Sequence, residues 1–322
     1  MVKIGLDIMG GDYAPETTVA GAVLARQKLP GDVRLVLFGD TERILPLLQK
    51  NNASPGQFEI VHTTQVIEMG DHPMKAFTKK TDSSIAVGFE MLKRGKIDSF
   101  TGNGNTGAMM VAALYSVKAI EGVLRPSLAG VVPKEDGGTG LLLDVGSNAD
   151  CRPEVLCQFA QLGQIYAKAI FHIENPKVGL LNIGEEEEKG NLIAQSTHQM
   201  MKKMTTINFV GNIEGRDLFS SKADVVVCEG FVGNVVLKEA EALYELMKKR
   251  NRSDDYFERF NYENYGGVPL LGINSPIIAG HGISSATATC NMLIQAYHMV
   301  ETRVTEKIKM AFNPSLAEST GK

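Results

Sequence analysis

Short apolar runs rich in β-branched residues alternate along this chain with segments whose apolar positions recur at the helical period. This alternation is typical of a largely parallel sheet that is covered by helices on both faces. The predicted strands are 3–7, 34–38, 58–62, 97–101, 129–132, 140–145, 177–183, 208–211, 224–229 and 276–280. The predicted helices are roughly 15–28, 41–51, 83–93, 106–119, 153–172, 190–204, 234–250 and 284–312. The pattern therefore predicts an α/β fold with three layers, α/β/α.

The segment 236–265 departs from this rhythm, because apolar helical positions are followed by a charged break and then by aromatic residues. We interpret it as a helical hairpin that packs on its own domain or on a subunit partner. A lipid-docking or protein-docking element is the alternative. The rest of the 322 residues suits one large domain, 1–322, or two intertwined halves.

Composition and charge narrow the class of protein. A hydrophobic content of 43% with 22% charged residues is typical of a globular chain, and a net charge of −4 does not favour nucleic acid as a partner. The N-terminal sequence lacks a signal-peptide pattern, and the most apolar segment, 109–117, is about half of what a membrane span needs. We expect a cytoplasmic protein whose four cysteines are buried small hydrophobes, with no metal site.

Glycine with a small polar residue follows most of the predicted strands. In parallel sheets ligands bind beyond the carboxyl ends of the strands, and N–H groups at helix N-termini attract anions. The segment Gly102–Gly107 matches G-x-G-x-x-G, but the following strand lacks the acidic residue of a dinucleotide site. Asn105 and Thr106 suit a single phosphate better, so we expect no cofactor.

Three charged or titratable positions adjoin these glycine-bearing loops. Lys189 follows the acidic run 185–188, which we place at the start of a helix, and its charge could offset that of a substrate. Arg216 ends another loop, where a buried guanidinium would suit phosphate. His281 follows the last predicted strand and is either a proton carrier or bonded to the backbone. Phosphate is itself a nucleophile, so a transfer to phosphate needs positioning and oxyanion stabilisation rather than a serine or cysteine.

Longer motifs surround these residues and cover almost the full chain in a fixed order. They are Asp7-Ile8-Met9-Gly10-Gly11-Asp12-Tyr13-Ala14-Pro15, Gly104-Asn105-Thr106-Gly107-Ala108, Leu143-Asp144-Val145-Gly146-Ser147-Asn148, Ile183-Gly184-Glu185-Glu186 with Lys189-Gly190-Asn191, Gly211-Asn212-Ile213-Glu214-Gly215-Arg216-Asp217, Gly230-Phe231-Val232-Gly233-Asn234, Tyr265-Gly266-Gly267-Val268-Pro269 and Ala279-Gly280-His281-Gly282. In this combination the chain resembles the bacterial phosphate acyltransferases called PlsX.

The resemblance implies a fold like that of isocitrate and isopropylmalate dehydrogenases, with a single mixed sheet shared by two intertwined halves in a homodimer. It implies transfer of a long acyl chain from acyl carrier protein to inorganic phosphate, which gives acyl phosphate for phospholipid synthesis. It also implies peripheral contact with the inner face of the membrane and with a glycerol-3-phosphate acyltransferase.

The motifs supply the expected site residues. We expect catalytic roles for Lys189, Arg216 and His281, with phosphate attacking the thioester directly and His281 protonating the leaving thiolate. The expected phosphate- or substrate-binding residues are Asp7, Gly10, Gly11, Gly104, Asn105, Thr106, Gly107, Asp144, Gly146, Asn148, Glu185, Asn191, Asn212, Gly230, Gly233 and Asn234. A phosphotransacetylase, a dehydrogenase and a non-catalytic binding protein are the alternatives.

Two features depart from the family pattern. Asn103 stands where alanine is common, and we expect it to make its loop more flexible. The segment 238–265 is shorter and more charged than usual, so that membrane docking there would depend more on basic residues meeting anionic lipid.

Overall fold

A computed structural model describes residues 1–313. The strands are β1 Val2–Asp7, β2 Val33–Gly39, β3 Glu59–His62, β4 Ser99–Gly102, β5 Ser127–Pro133, β6 Thr139–Leu143, β7 Lys177–Asn182, β8 Asn208–Glu214, β9 Val225–Val227, β10 Val268–Leu271 and β11 Ile277–Ala279. The helices are α1 Glu16–Lys28, α2 Thr41–Lys50, α3 Pro73–Lys79, α4 Ser84–Lys93, α5 Thr106–Ala112, α6 Pro153–Ile170, α7 Leu192–Lys202, α8 Gly230–Lys249, α9 Ala286–Glu301 and α10 Val304–Phe312.

The chain divides into two compact units, each made of two chain segments. Unit 1 comprises residues 1–119 and 262–301, and unit 2 comprises residues 120–261 together with the segment that begins at Thr302. In unit 1 the strand order is β3-β2-β1-β4-β11-β10, and β10 is antiparallel to β11 whereas the other pairs are parallel. In unit 2 the order is β5-β6-β9-β7-β8, with β5 antiparallel to β6. The predicted α/β class is confirmed, and each unit contains both parallel and antiparallel strand pairs.

The core of unit 1 is organised around Phe100 of β4. Its ring contacts Phe38 of β2 and Phe89 of α4, with centroids 5.6 and 5.0 Å apart. Gly88 allows α4 to approach this ring, because a Cβ at that position would lie 2.0 Å from the Phe100 side chain. Close-packed apolar contacts of this kind provide most of the stability that fixes the strand ends.

In unit 2, helix α6 packs on β6 and β9 in a similar way. Gly163 allows the approach, since a Cβ there would lie 2.5 Å from Val225 and 2.7 Å from Leu143. A buried ion pair, Lys134 Nζ to Asp224 Oδ1 at 2.7 Å, lies just before β9. The Asp224 carboxylate also accepts a hydrogen bond from the Lys177 backbone N–H, and this pairing compensates for the desolvation of both charges.

All ten predicted strands are present, but β10 was not predicted. Pro269 interrupts its apolar pattern and cannot donate to a strand partner, which is why the sequence does not indicate a strand there. Helix α3 was also missed. The predicted helix 284–312 is in fact α9 and α10, because Arg303 adopts a left-handed conformation with φ of 52°.

The predicted helical hairpin at 236–265 is wrong in its second arm. Helix α8 is the first arm, and it is followed by two short 3-10 turns, Phe257–Phe260 and Tyr262–Asn264. Asn251 with φ of 53° ends the helical path, and Asp254 bonds the backbone N–H of Phe257, a local bond that competes with a continuous helix. Within residues 1–313, no helix is both long and apolar enough to span a bilayer.

Candidate active site

In unit 1, the turn after β1 packs tightly on the turn after β4. A Cβ on Gly10 would lie 2.8 Å from the backbone of Gly104 and 2.3 Å from the Asp7 carboxylate, so only glycine fits. The Met9 N–H donates to Asp7 Oδ1 at 3.0 Å. Burial raises the pKa of Asp7 to about 6, and hydrogen bonds from the Ser84 side chain and the Met9 and Gly10 backbones oppose that shift. Asp7 therefore lies beneath the turn and holds it in place.

Asn103, which was expected to loosen this turn, instead anchors it. Its side chain is 1% exposed, and its Nδ2 donates to Thr289 Oγ1 at 2.8 Å. Gly280 makes room for it, because a Cβ there would lie 2.0 Å from the Asn103 Oδ1. The expectation of flexibility is wrong, since a buried and bonded amide restricts the loop.

Asn105 is placed at the start of α5, as predicted, but its side chain is engaged by the protein. Its Oδ1 accepts from the Ala108 N–H at 3.0 Å, and its Nδ2 contacts the carbonyl oxygens of Glu68, Met69 and Asp71. The side chain therefore caps the helix and fixes the 68–71 loop. Thr106 and Gly107 form the first turn of the same helix, and a Cβ on Gly107 would lie 2.6 Å from Pro73.

His281 follows β11 in unit 1 and is partly buried. Its ring lies 5.0 Å from the ring of Tyr262, and the neighbouring Gly282 carbonyl accepts from the Asp12 N–H at 2.7 Å. That backbone bond joins the turn after β11 to the turn of Gly11, which has a φ of 112°. The structure thus brings His281 beside the first predicted motif.

In unit 2, the corresponding loop is organised by Asp144, which is fully buried. Its carboxylate accepts from the backbone N–H groups of Leu128, Ser147 and Asn148 at 3.0, 3.2 and 2.7 Å. The Ser147 hydroxyl lies 2.7 Å from both carboxylate oxygens, and Asn148 Nδ2 lies 2.9 Å from Oδ2. With its acceptor sites filled in this way, Asp144 shapes the loop and does not face a ligand.

The first turn of α8 packs on the Asp144 loop. A Cβ on Gly230 would lie 2.8 Å from the Asn148 carbonyl oxygen, and one on Gly233 would lie 1.8 Å from the Asp144 carbonyl oxygen. Asn234 Nδ2 donates to the Val145 carbonyl at 3.1 Å beside Gly146, which has a φ of 133°. The predicted residues of these two motifs are therefore contiguous.

The loop between β7 and α7 is held by a buried histidine that the sequence did not single out. His198 Nδ1 lies 2.9 Å from Asn212 Oδ1, and Asn212 Nδ2 donates to the Glu186 carbonyl at 2.8 Å. Because the Asn212 amide nitrogen is a donor, its oxygen accepts and His198 Nδ1 carries the proton. Asn182 Nδ2 donates to the Lys189 carbonyl at 3.1 Å. His198 lies inside a helix without a motif, so no local signal identifies it.

The acidic run 185–188 lies in this loop and not in a helix, because α7 begins at Leu192 with Asn191 as its N-cap. Lys189 is 47% exposed, with Nζ 4.0 Å from Glu186. Arg216 is 75% exposed and pairs with Glu214, so the expectation of a buried guanidinium is wrong. The exposed end of a short 3-10 turn allows solvent to reach it.

Three carboxylates come together near Arg216, with ligand atoms of Glu185, Glu214 and Asp217 within 4.8 Å of one another. The Lys222 ammonium lies among them, 2.7 Å from Glu185 and 2.9 Å from Asp217. These hydrogen bonds raise the pKa of Lys222, so an internal cation already balances the group. This arrangement favours an ion-pair network over a metal site.

The four cysteines are buried, as predicted. Burial raises the pKa of Cys151 to about 12 and that of Cys157 to about 11, and it raises the pKa of Cys228 well above its ordinary value. These thiols stay protonated at neutral pH, and a protonated thiol is a poor nucleophile.

Comparisons with known proteins give a matching family, relatives in sequence and solved structures of similar fold. A family described as "Fatty acid synthesis protein" matches residues 2–307. A "Phosphate acyltransferase" of Dictyoglomus turgidum is 41% identical over 97% of this chain and 98% of its own, and one of Pelotomaculum thermopropionicum is 42% identical over 99% and 98%. A phosphotransacetylase structure from Streptococcus pyogenes superposes with a TM-score of 0.67 at 16% identity, covering 95% of this chain and 94% of its own. A branched-chain phosphotransacylase from Enterococcus faecalis gives 0.63 at 15%, covering 93% and 99%. The solved structures are similar in fold.

Proposed function

This chain belongs to the fatty acid synthesis protein family of phosphate acyltransferases, and we propose that it transfers a long-chain acyl group from acyl carrier protein to inorganic phosphate. It is an acyltransferase, and the proposal concerns its donor and its product. The observation that carries the proposal is the match of the whole chain, at about 40% identity, to relatives named for phosphate acylation. The product would be an acyl phosphate for phospholipid synthesis.

In the proposed reaction a phosphate oxygen attacks the thioester carbonyl carbon. The new C–O bond forms as the C–S bond breaks, and the carrier thiolate leaves and takes up a proton. Phosphate is anionic at neutral pH and needs no protein nucleophile. The raised pKa values of Cys151 and Cys228 support direct transfer over an acyl-enzyme on either thiol.

In unit 2 we assign stabilisation of the developing oxyanion to Lys189. Its side chain is half exposed, and its one ion-pair contact in the described residues is 4.0 Å long, so its charge is available to a substrate. The Asn182 and Asn212 bonds fix the loop that carries it, and such preorganisation is what makes a cation effective in catalysis. Arg216 is less suited to this role because Glu214 already neutralises it.

In unit 1 we propose that backbone N–H groups of the Gly10 and Gly104 turns bind an anionic part of the substrate. The two glycines carry no Cβ and their backbones approach each other closely, and glycine-bearing turns of this kind form anion-binding concavities. We propose His281 as a proton donor for the leaving thiolate, supported by its partial burial beside the Gly11 turn.

We further propose that the enzyme acts as a homodimer beside the membrane, with the acyl carrier protein and a glycerol-3-phosphate acyltransferase as its partners. An apolar surface on helix α8 supports such contacts. Its side chains Phe231, Val235 and Leu246 are 65%, 54% and 52% exposed, and they lie on one face of the helix. Sedimentation analysis tests the dimer. Flotation with anionic and with zwitterionic vesicles tests the membrane contact, and absence of binding to both would refute it.

The central experiment incubates the purified full-length chain with palmitoyl-acyl carrier protein and phosphate, and traps acyl phosphate with hydroxylamine. We expect hydroxamate that depends on both phosphate and enzyme. Acetyl-CoA in place of the long-chain donor tests the phosphotransacetylase alternative, and fluorescence quenching of reduced nicotinamide tests the dehydrogenase alternative. If acetyl-CoA were the only donor that gave product, or if no thioester gave a phosphate-dependent product, the proposal would be rejected.

A further inference from the structure

Unit 2 contains a cavity of about 570 Å³ between its helices and the end of β7. Its walls come from α6, β7, α7 and α8, through Leu156, Leu180, Ile193, Ala194 and Val232. Ligand cavities of roughly 300–1,000 Å³ are typical of small-molecule sites. This cavity is therefore large enough for a ligand, and none of the roles assigned above uses it.

The residues that line the cavity disfavour the binding of an anion. Apolar side chains form most of the wall, and Cys151 and Cys228 add two thiols that burial keeps protonated, so that they behave as small hydrophobes. The charged residues of the lining are Asp150 and Glu229, and both would repel phosphate. A neutral apolar group fits this environment, because it removes apolar surface from water without a charge penalty.

The mouth of the cavity leads to the loop that carries Lys189. Ile183 belongs to the lining and yet is 80% exposed, while Ile193 is 41% exposed. Asn182 and Gly190, which flank Ile183 and Lys189 in the sequence, also line it. Apolar side chains at an opening are favourable when a ligand covers them.

We propose that this cavity binds the hydrocarbon chain of the acyl donor, with its thioester end at the loop of residues 183–190. The inference rests on the proposed function and adds a location for the acyl chain. It also predicts that the cavity determines which acyl-chain lengths the enzyme prefers, because each methylene group that is excluded from an apolar site weakens binding roughly four-fold.

Two substitutions fill the cavity from two different elements of its lining. Ala194→Phe projects a ring from α7, and Val232→Phe projects one from α8. Ser196→Phe is the matched control, because it adds a ring to an exposed position of α7. Thermal unfolding of each variant shows whether it is folded, and the use of two walls keeps the test valid if one variant is not.

The measured quantity is kcat/KM with palmitoyl-acyl carrier protein and with hexanoyl-acyl carrier protein. We expect both filling variants to lose at least about 10-fold with palmitoyl and to stay within about two-fold with hexanoyl, because only the long chain needs the filled volume. The control should retain both activities. Equal losses for the two donors, or an unchanged palmitoyl value in a folded variant, would overturn the proposal.

A binding measurement separates this inference from the proposed function. The thioether S-hexadecyl-pantetheine cannot react, and calorimetry should show that it binds the wild type at least about 10-fold more tightly than it binds Ala194→Phe, whereas S-butyl-pantetheine should not distinguish them. If S-hexadecyl-pantetheine binds in this way but no acyl phosphate forms, the proposed function fails and the cavity assignment stands. If acyl phosphate forms but binding ignores the substitutions, the cavity assignment fails alone.

Discussion

Gly233 packs so closely on Asp144 that a Cβ on the glycine would lie 1.8 Å from the Asp144 carbonyl oxygen. The contact joins the first turn of α8 to the loop after β6. That loop is itself closed by the Asp144 carboxylate, so one residue organises both the helix start and the loop amides. Two motifs that are far apart in the sequence thus form one structural element.

Replacement of Gly233 by alanine should separate these two segments. We expect a loss of roughly 3 kcal/mol in the free energy of unfolding, because a backbone carbonyl cannot move away as a flexible side chain can. Gly215→Ala is the control, since a Cβ there meets nothing within 4 Å, and it should change stability by less than about 0.5 kcal/mol. Denaturant titration measures both, and equal stabilities would contradict the prediction.

Removal of the Asp144 carboxylate should have a similar consequence by another route. Asp144→Ala leaves the backbone N–H groups of Ser147 and Asn148 without their acceptor, and each unsatisfied group of this kind costs about 1–3 kcal/mol. Asp255→Ala, at an exposed position of the same unit, serves as control. A variant of Asp144 with the wild-type unfolding midpoint would show that the loop does not depend on this carboxylate.

Asp7 should make stability depend on pH in an unusual direction. Its pKa in the folded state is about 6 against 3.8 for the same group exposed to water, as in the unfolded chain, so the folded chain binds the proton more tightly between these values. Stability due to this group is therefore present below pH 4 and is lost as the pH rises through 6. The raised pKa corresponds to about 3 kcal/mol.

In the Asp7→Asn variant the side chain at this position cannot ionise. The variant should therefore not lose this part of its stability as the pH rises. We expect the variant to gain stability relative to the wild type by up to about 3 kcal/mol between pH 4 and pH 7.5. Urea titrations of both proteins at each pH measure the difference, so the lowered pKa values of other carboxylates, such as Asp71 and Asp217, cancel. A difference that stays constant with pH would contradict burial of an ionisable Asp7.

Lys189 should matter for turnover and not for stability. Lys189→Met is expected to lower kcat/KM for phosphate by about 100-fold, the effect of removing one oxyanion donor, while an exposed substitution changes stability by less than about 0.5 kcal/mol. Lys203→Met, at an exposed lysine just after α7, controls for the loss of a positive charge. If the two variants have the same kinetics, Lys189 does not take part in the reaction.

The sequence predicted ten of the strands because each is a short apolar run rich in β-branched residues. Such runs are typical of strands in a sheet that is covered on both faces. Where this pattern is broken, as by Pro269 in β10, the strand was missed. Most motif residues lie at strand ends and helix starts, as predicted, since glycine and N-cap chemistry is local, but the run 185–188 lies in a loop and not at a helix start. Their partners were not predictable, because the bond from Asn105 to the 68–71 loop and that from His198 to Asn212 join distant positions.

By itself, the sequence determined the α/β class, the family and the loops in which chemistry is expected, since these depend on local periodicity and on motif order. Only the tertiary structure decided which polar groups of those loops remain available. It assigned Asp144 and Asn105 to holding the loops, left Arg216 exposed and opened an apolar cavity beside Lys189. The physical reason is that hydrogen-bond satisfaction and empty volume are properties of packing between remote segments, and a linear pattern does not contain them.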